Sequence, residues 1–324
     1  MAPVLRDDEP SGGRVERTSY VRFMFEYPLH SELEGGAWID PVNIAEFARV
    51  AEASGIDGIA LTDHPAPSKK WLDHGGHETL DPFVGLGYLA AATTSLKLLT
   101  SLCVVPYRNP FITAKAMTAV DVLSGGRSIF VLGTGYLRSE FAALGVDFDE
   151  RNELFDEAVE VIRGVWTTDD FAYEGRHFQA YGVVMRPRPV QDPHPPLWLG
   201  GNAAIVRRRV AQWGTGWQPL LGDPTLARTT RTPLIENDEQ LGERIAEIKG
   251  WMAEAGRDPD SLEVCASSLS RSPNAGAEER IDQLGRLAEI GVTWTGVPFS
   301  HASFGGALDD LRRHGEEIAP KVAH

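Results

Sequence analysis

Cysteine is almost missing from this chain of 324 residues: Cys103 and Cys265 are its only two, far apart and each inside an apolar, strand-like run. A disulfide framework is thereby excluded, and both read as small core residues of a protein kept in a reducing compartment. Nowhere do the ~20 uninterrupted apolar residues of a membrane span occur, and the N-terminus is polar and charged where a signal peptide would carry an apolar core. The expectation is a cytoplasmic protein that enters no membrane. Positive charge is in deficit too, with 31 Lys and Arg against 46 Asp and Glu and a net charge of -15. That sign disfavours a nucleic-acid partner held through its phosphates, and an anionic ligand would need a local pocket of donors. Internal repeats, low-complexity tracts, the dinucleotide-binding fingerprint and the P-loop are all lacking.

What is present is 42% apolar side chains with Gly and Pro spread along the whole length, enough to bury one barrel-sized core. Residues 1–18 are polar, carry Pro10, Gly12 and Gly13, and read as a flexible leader ahead of a single domain over 19–324. From Tyr20 onward, short β-branched and aromatic runs alternate with longer segments of 3.6 period. About eight such units are legible, the pattern of an α/β protein with a parallel sheet, a (β/α)8 TIM barrel with insertions. The strand candidates are Tyr20–Glu26, Ile56–Thr62, Leu96–Val105, Ser128–Gly133, Leu197–Gly200, Gly216–Leu220, Leu262–Ser267 and Val292–Val297. Asp40 offers an N-cap before Pro41, and Gly55 closes the helix that follows the first strand. Asn152 to Trp166 reads as an amphipathic helix whose carboxylates face solvent. A hairpin excursion is expected between Thr167 and Pro196, and an irregular insertion over Asp223 to Asp238.

In such barrels the reactive groups sit at the C-terminal strand ends, where the βα loops vary. The second strand here ends in Thr62, Asp63, His64 and Pro65, the third in Val105 to Asn109, the fourth in Gly133, Thr134, Gly135 and Tyr136, and the fifth in Gly200, Gly201 and Asn202. This rim is the expected active site. His64 suits proton transfer or a hydrogen bond to a cofactor, because imidazole changes charge near neutral pH; a buried histidine tying down a loop is the plainer alternative. Asp63 is read as orienting. The two glycine triplets allow close backbone approach and can offer amides to a phosphate, or simply make tight turns. Arg207, Arg208 and Arg209 are expected to face outwards. His74 and His77 raise the question of a metal, but no ordered set of ligands follows at later strand ends and none is expected. Glycoside hydrolysis needs two facing carboxylates at strand ends, and apart from Asp63, read as orienting, the carboxylate noted near a strand end is Glu140.

Several segments in fixed order resemble the bacterial luciferase-like flavin and deazaflavin oxidoreductases from about Tyr20 to the C-terminus. They are Gly58 to His64 (GIALTDH), Thr100 to Pro110 (TSLCVVPYRNP), Asp121 to Arg127 (DVLSGGR), Leu132 to Tyr136 (LGTGY), Glu140 to Gly145 (EFAALG) with Arg151, Pro187 to Pro189 and Pro195 to Gly201 (PPLWLGG). The resemblance implies that His64 is the active-site histidine beside the reactive ring, with Asp63 as its neighbour. It implies that Thr100, Ser101 and Leu102 form the bulge that supports the ring from behind through a non-prolyl cis peptide. Gly133, Gly135, Gly200, Gly201 and Asn202, with Thr134 and Tyr136 on the same rim, fall where the family holds the ribityl chain and phosphate. The LSGGR segment looks like a structural turn at the opposite barrel end. Coenzyme F420 is the expected cofactor, with FMN and a monooxygenase reaction as the alternative, and a flavin-storing barrel without turnover as a third. A small-molecule substrate and a homodimer are expected. Residues 1–18, Pro65 and the insertion from Asp223 depart from the family pattern.

Overall fold

The computed structural model describes residues 21–29, 31, 33–222, 224–267, 275–298 and 303–322. Residues 1–18, expected to form a leader, and Tyr20, the expected start of the first strand, lie outside the described residues.

Eight parallel strands make the barrel: β1 (Arg22–Glu26), β2 (Gly58–Leu61), β3 (Lys97–Val104), β4 (Ser128–Gly133), then β7 (Leu197–Gly200), β8 (Gly216–Gln218), β9 (Glu263–Val264) and β10 (Trp294–Gly296). Between β4 and β7 lies an antiparallel hairpin, β5 (Phe171–Glu174) and β6 (Gln179–Val183), the expected excursion. The order β10-β1-β2-β3-β4-β7-β8-β9 closes through a parallel bridge between Cys265 and Trp294. Backbone bonds from Thr293 N–H to the Val264 carbonyl and from Ala266 N–H to the Trp294 carbonyl complete the seam. Several strands are shorter than the apolar runs that announce them, and the stretch from Leu262 to Ser267 contributes a two-residue strand and the single Cys265 bridge.

Alternation along the strands sends one set of side chains inward and the other toward the helices. Met24, Ala60, Leu99, Ile129, Val131, Trp198, Cys265 and Trp294 fill the barrel interior. The Trp198 and Trp294 rings meet edge to face with centroids 5.6 Å apart. The outward set joins the helices in a larger core that includes Phe25, Phe47, Leu98, Phe130 and Trp217. The coating helices start where the sequence provides caps: Asp40 accepts the N–H groups of Val42 and Asn43 ahead of Pro41, and Asn109 accepts that of Phe111 ahead of Pro110.

The LSGGR turn closes the barrel end away from the cavity. Gly125 takes a left-handed conformation (φ 66°) to end the helix Pro110–Ser124. The Arg127 guanidinium then donates to the carbonyls of Ala90, Thr93, Leu96 and Ser124. This single side chain ties three segments of the barrel floor together.

Three expectations are corrected. The insertion after β8 is not wholly irregular, since it carries the helix Pro224–Thr230. The carboxylates of the helix Arg151–Thr167 do not simply face solvent: Glu157 holds His177, Glu160 accepts from Tyr173, and Glu153 holds Arg176 of the hairpin. Of the three arginines expected outside, only Arg208 is exposed. Arg207 and Arg209 are buried beside the neighbouring helices, Arg207 on Glu247 (2.8 Å) and Arg209 on Asp156 (2.7 Å). Their long stems cover apolar surface while acids on adjoining helices take the charge. No helix among the described residues is long and apolar enough to cross a membrane.

Candidate active site

A cavity of about 430 Å³ opens where the C-terminal ends of β1, β2, β3, β4, β7 and β8 converge. This size lies within the range of small-molecule sites. Asp63, His64, Ser101, Leu102, Gly133, Thr134, Gly135, Tyr136, Gly200 and Gly201 all line it. Thr100 and Asn202 lie behind the wall. Thr100 is fully buried and its hydroxyl donates to the Val131 carbonyl (2.8 Å). The Asn202 side chain is spent within the protein, donating to the carbonyls of Leu220 (2.6 Å) and Pro233 (2.7 Å) and accepting from Leu220 N–H (2.9 Å).

The bulge falls in β3, whose register with β4 shifts between Thr100 and Cys103. Within it the Ser101–Leu102 peptide is cis. Leu102 lies over two of the glycines. A Cβ at Gly133 would come 2.3 Å from its Cδ1 and one at Gly200 would come 2.4 Å from its Cδ2. With glycine at both positions the Leu102 methyls settle directly on the backbone, and Leu102 becomes an apolar surface at the cavity floor. Beside it runs a chain of hydrogen bonds across three strands: Gln218 Nε2 donates to Ser101 Oγ (3.1 Å), which donates to Glu26 (2.9 Å). Glu26 is exposed to the cavity. The protein packed around its end of the cavity pushes its pKa up through desolvation, against the opposing pull of Ser101 and His64.

His64 sits opposite. Its Nδ1 pairs with Glu140 Oε2 at 3.1 Å, and the Glu140 side chain is completely buried. Glu140 also accepts from the Tyr107 hydroxyl (2.7 Å) and the Ala66 N–H (3.2 Å). Burial works to raise the Glu140 pKa, but these hydrogen bonds together outweigh it and hold the carboxyl below its ordinary value. An ionised Glu140 assigns the Nδ1–H tautomer to His64, which leaves Nε2 as the accepting atom. The ring is wedged by Trp71 (centroids 4.4 Å), His77 (5.2 Å) and Tyr136 (5.9 Å). Burial first, and then the Glu140 charge, push the Tyr136 hydroxyl up to about 12, so that it stays a neutral donor.

Asp63 has a different task. Both of its oxygens receive the Arg108 guanidinium (2.6 and 2.8 Å), and one also receives the Val104 N–H (3.0 Å). With its lone pairs engaged, Asp63 fastens the end of β2 to the end of β3 and fixes the backbone that carries His64. His74 Nδ1 contacts the Lys70 carbonyl, while His77 packs on His64. Among the described residues no group of three or more His, Cys, Asp or Glu is disposed to hold a metal ion.

Sequence reasoning missed Glu26 and Gln218, although each is the last residue of its strand and the rule that found His64 applies to both. Glu140 was noticed only as an isolated carboxylate. Phe148, Arg151 and Arg231 also line the cavity, and nothing in the local sequence around Arg231 announces it.

The chain is 31% identical over 131 residues to an FMNH(2)-dependent dimethylsulfone monooxygenase from Pseudomonas putida, a match covering 39% of this chain and 36% of that enzyme. It is 29% identical over 232 residues to an F420-dependent glucose-6-phosphate dehydrogenase from Gordonia bronchialis, covering 68% of this chain and 66% of that one. In each case the match spans less than two thirds of the relative. Among solved structures, the monooxygenase RslO1 from Streptomyces bottropensis superposes with a TM-score of 0.73 over 93% of this chain and 99% of its own, at 20% identity, a likeness of fold. The family model for luciferase-like monooxygenases matches residues 23–321, so nearly the whole chain belongs to the luciferase-like monooxygenase family of F420- or flavin-dependent oxidoreductases.

Proposed function

We propose that this protein transfers a hydride between coenzyme F420 and a small organic substrate, with His64 exchanging the accompanying proton at Nε2. The observation that carries the reading is the His64–Glu140 pair. A buried carboxylate holds one ring nitrogen, and the other belongs to a side chain that lines the cavity. The cavity also suits a planar, anionic cofactor in its donor set: the Leu102 surface on Gly133 and Gly200 for a ring, and Arg151 and Arg231 for negative charge. When bound, F420 supplies or accepts the hydride, and the chain's own residues bind, orient and handle the proton. Glu140 keeps the imidazole in one tautomer, Asp63 and Arg108 fix the loop behind it, and Tyr136 stays protonated to donate a hydrogen bond.

The alternative is an FMN-dependent monooxygenase, for which the Pseudomonas putida relative speaks. Titration of the protein with F420 and FMN side by side separates the two. The expected outcome is F420 binding at least ~10-fold tighter, a difference of ~1.4 kcal/mol. Tighter binding of FMN, or oxygen consumption coupled to substrate oxidation with reduced FMN, assigns the protein to the monooxygenases. A homodimer is part of the same proposal, because Val42, Val84 and Ile112 stand exposed on the outer helices. A monomer by light scattering across micromolar concentrations would remove it.

A further inference from the structure

Positive charge is scarce in this chain, yet three guanidinium groups converge on one buried ring in the wall of the cavity. The central guanidinium carbons of Arg138 and Arg151 each lie 4.0 Å from the Phe148 ring centroid, and that of Arg231 lies 5.7 Å away. Attraction to one aromatic ring is weak compensation for holding three cations together. Arg138 has Asp149 as a partner (2.9 Å). Arg151 donates to the Phe148 carbonyl (2.9 Å), a neutral acceptor. Both Arg151 and Arg231 line the cavity. Like-charge crowding shows in Arg151, whose pKa is lowered first by burial and then by the charge of Arg231, with Arg138 adding to it and Asp149 opposing.

Arg231 reaches this place through a built support. It sits at a left-handed φ of 55° at the end of the helix Pro224–Thr230. The next residue, Thr232, is clipped to the end of β7: the Asn202 N–H donates to Thr232 Oγ1 (2.8 Å) while Asn202 Nδ2 donates to the Pro233 carbonyl (2.7 Å). Thr232 N–H bonds back to the Ala227 carbonyl (3.0 Å). Asn202 thus serves as the staple that holds the insertion, and with it Arg231, over the cavity. This accounts for a side chain that the family pattern would assign to the cofactor itself.

We propose that Arg151 and Arg231, backed by Arg138 on the Phe148 ring, form an oxyanion site that takes the phosphate or the carboxylates of the cofactor's side chain. The identity of that side chain rests on the F420 reading above; the oxyanion chemistry does not. The test is a set of dissociation constants, read by fluorescence, for three ligands: intact F420, its phospholactate form without glutamates, and the deazaflavin riboside that lacks the phosphate. The double variant R151Q/R231Q is expected to bind intact F420 at least about ten-fold more weakly, the loss of charge-assisted hydrogen bonds. Its affinity for the riboside should stay within about two-fold, which also shows that the fold is intact. R231K, which keeps the charge, should retain most of the affinity that R231Q loses. A loss shared by intact F420 and the phospholactate form assigns the site to the phospholactyl group; a loss confined to intact F420 assigns it to the glutamyl carboxylates. Equal weakening for all three ligands, or none for any, overturns the proposal. If the protein instead prefers FMN, the same substitutions should weaken FMN and spare riboflavin, in which case the oxyanion site stands and the F420 reading fails.

Discussion

Two histidines in this protein are gripped by glutamates, one inside the cavity and one on the outer hairpin, and their geometries differ in whether a ring nitrogen is left open. His64 uses Nδ1 on the buried Glu140 (3.1 Å), and no described protein group bonds its Nε2. His177 spends both nitrogens, Nδ1 on Glu157 (2.6 Å) and Nε2 on Glu150 (3.2 Å). Glu157 also accepts the backbone N–H groups of His177 and Phe178. A ring with both nitrogens bound to carboxylates is held as a cation and has no site for exchange. A ring with one nitrogen anchored to a carboxylate is oriented, and its other nitrogen remains open to chemistry. The same residue pair therefore leaves one ring open and closes the other, according to how many of the ring's positions the fold consumes.

The largest effect is expected at the ring with an open nitrogen, where the proposed function puts the proton transfer. His64→Ala should lower turnover by roughly 10²-fold or more while cofactor affinity changes much less. Stopped-flow turnover set beside a binding titration measures both. Equal activity in the variant would place His64 with His177 as a fastening residue and dissolve the distinction.

A smaller effect should follow from the partner. Glu140→Gln preserves shape and still accepts a hydrogen bond, but it removes the charge that favours one tautomer, and turnover should fall about ten-fold. Stability should change in its acid dependence. Because the Glu140 carboxyl is held below its ordinary value of 4.5, its contribution is present above that pH and is lost as pH falls through the lower folded value. Thermal melts from pH 7 down to pH 3 should therefore show a shallower acid limb for the variant than for the parent. Parallel limbs would show that Glu140 contributes nothing through its charge.

What could be read ahead of the structure follows from how local each signal is. Strand and helix periods are local, so the eight-unit barrel was legible, and so was His64, which a general rule places at a strand end. The side a residue faces beyond that end is less local. Thr100 and Ser101 are adjacent in β3, yet the alternation of the strand puts one hydroxyl into the β4 backbone and the other into the cavity. Glu140 sits on the short helix Arg138–Ala143, and only the tertiary approach of the loop after β2 turns it onto His64. The run Arg207 to Arg209 has the composition of a solvated face. Its burial depends on Glu247 and Asp156, which lie 40 and 53 residues away in sequence. Arg231 is the hardest case, since its position depends on a staple from Asn202.

The smallest effect, and the sharpest test of the contrast, belongs to the hairpin. Burial lowers the pKa of His177, but its hydrogen bonds to Glu157 and Glu150 raise it more, so the net shift is upward from the ordinary 6.5. The contribution of His177 to stability is then fully present below pH 6.5 and is lost as pH rises through its raised folded value. Glu157 behaves oppositely. Burial alone would raise its pKa, yet the bonds from the His177 backbone and ring and from Phe178 N–H lower it overall. Its contribution is present above the ordinary 4.5 and is lost as pH falls through the depressed folded value. The hairpin is accordingly held most firmly between these limits, and amide-exchange protection over residues 171–183 should decline on both sides. His177→Gln should flatten the alkaline decline and cost less than about 1 kcal/mol in global stability, because the pair is near the surface and screened. Turnover should not change. A loss of turnover comparable to that of His64→Ala would mean that the hairpin clamp reaches the cavity and that consumed ring positions do not distinguish the two histidines.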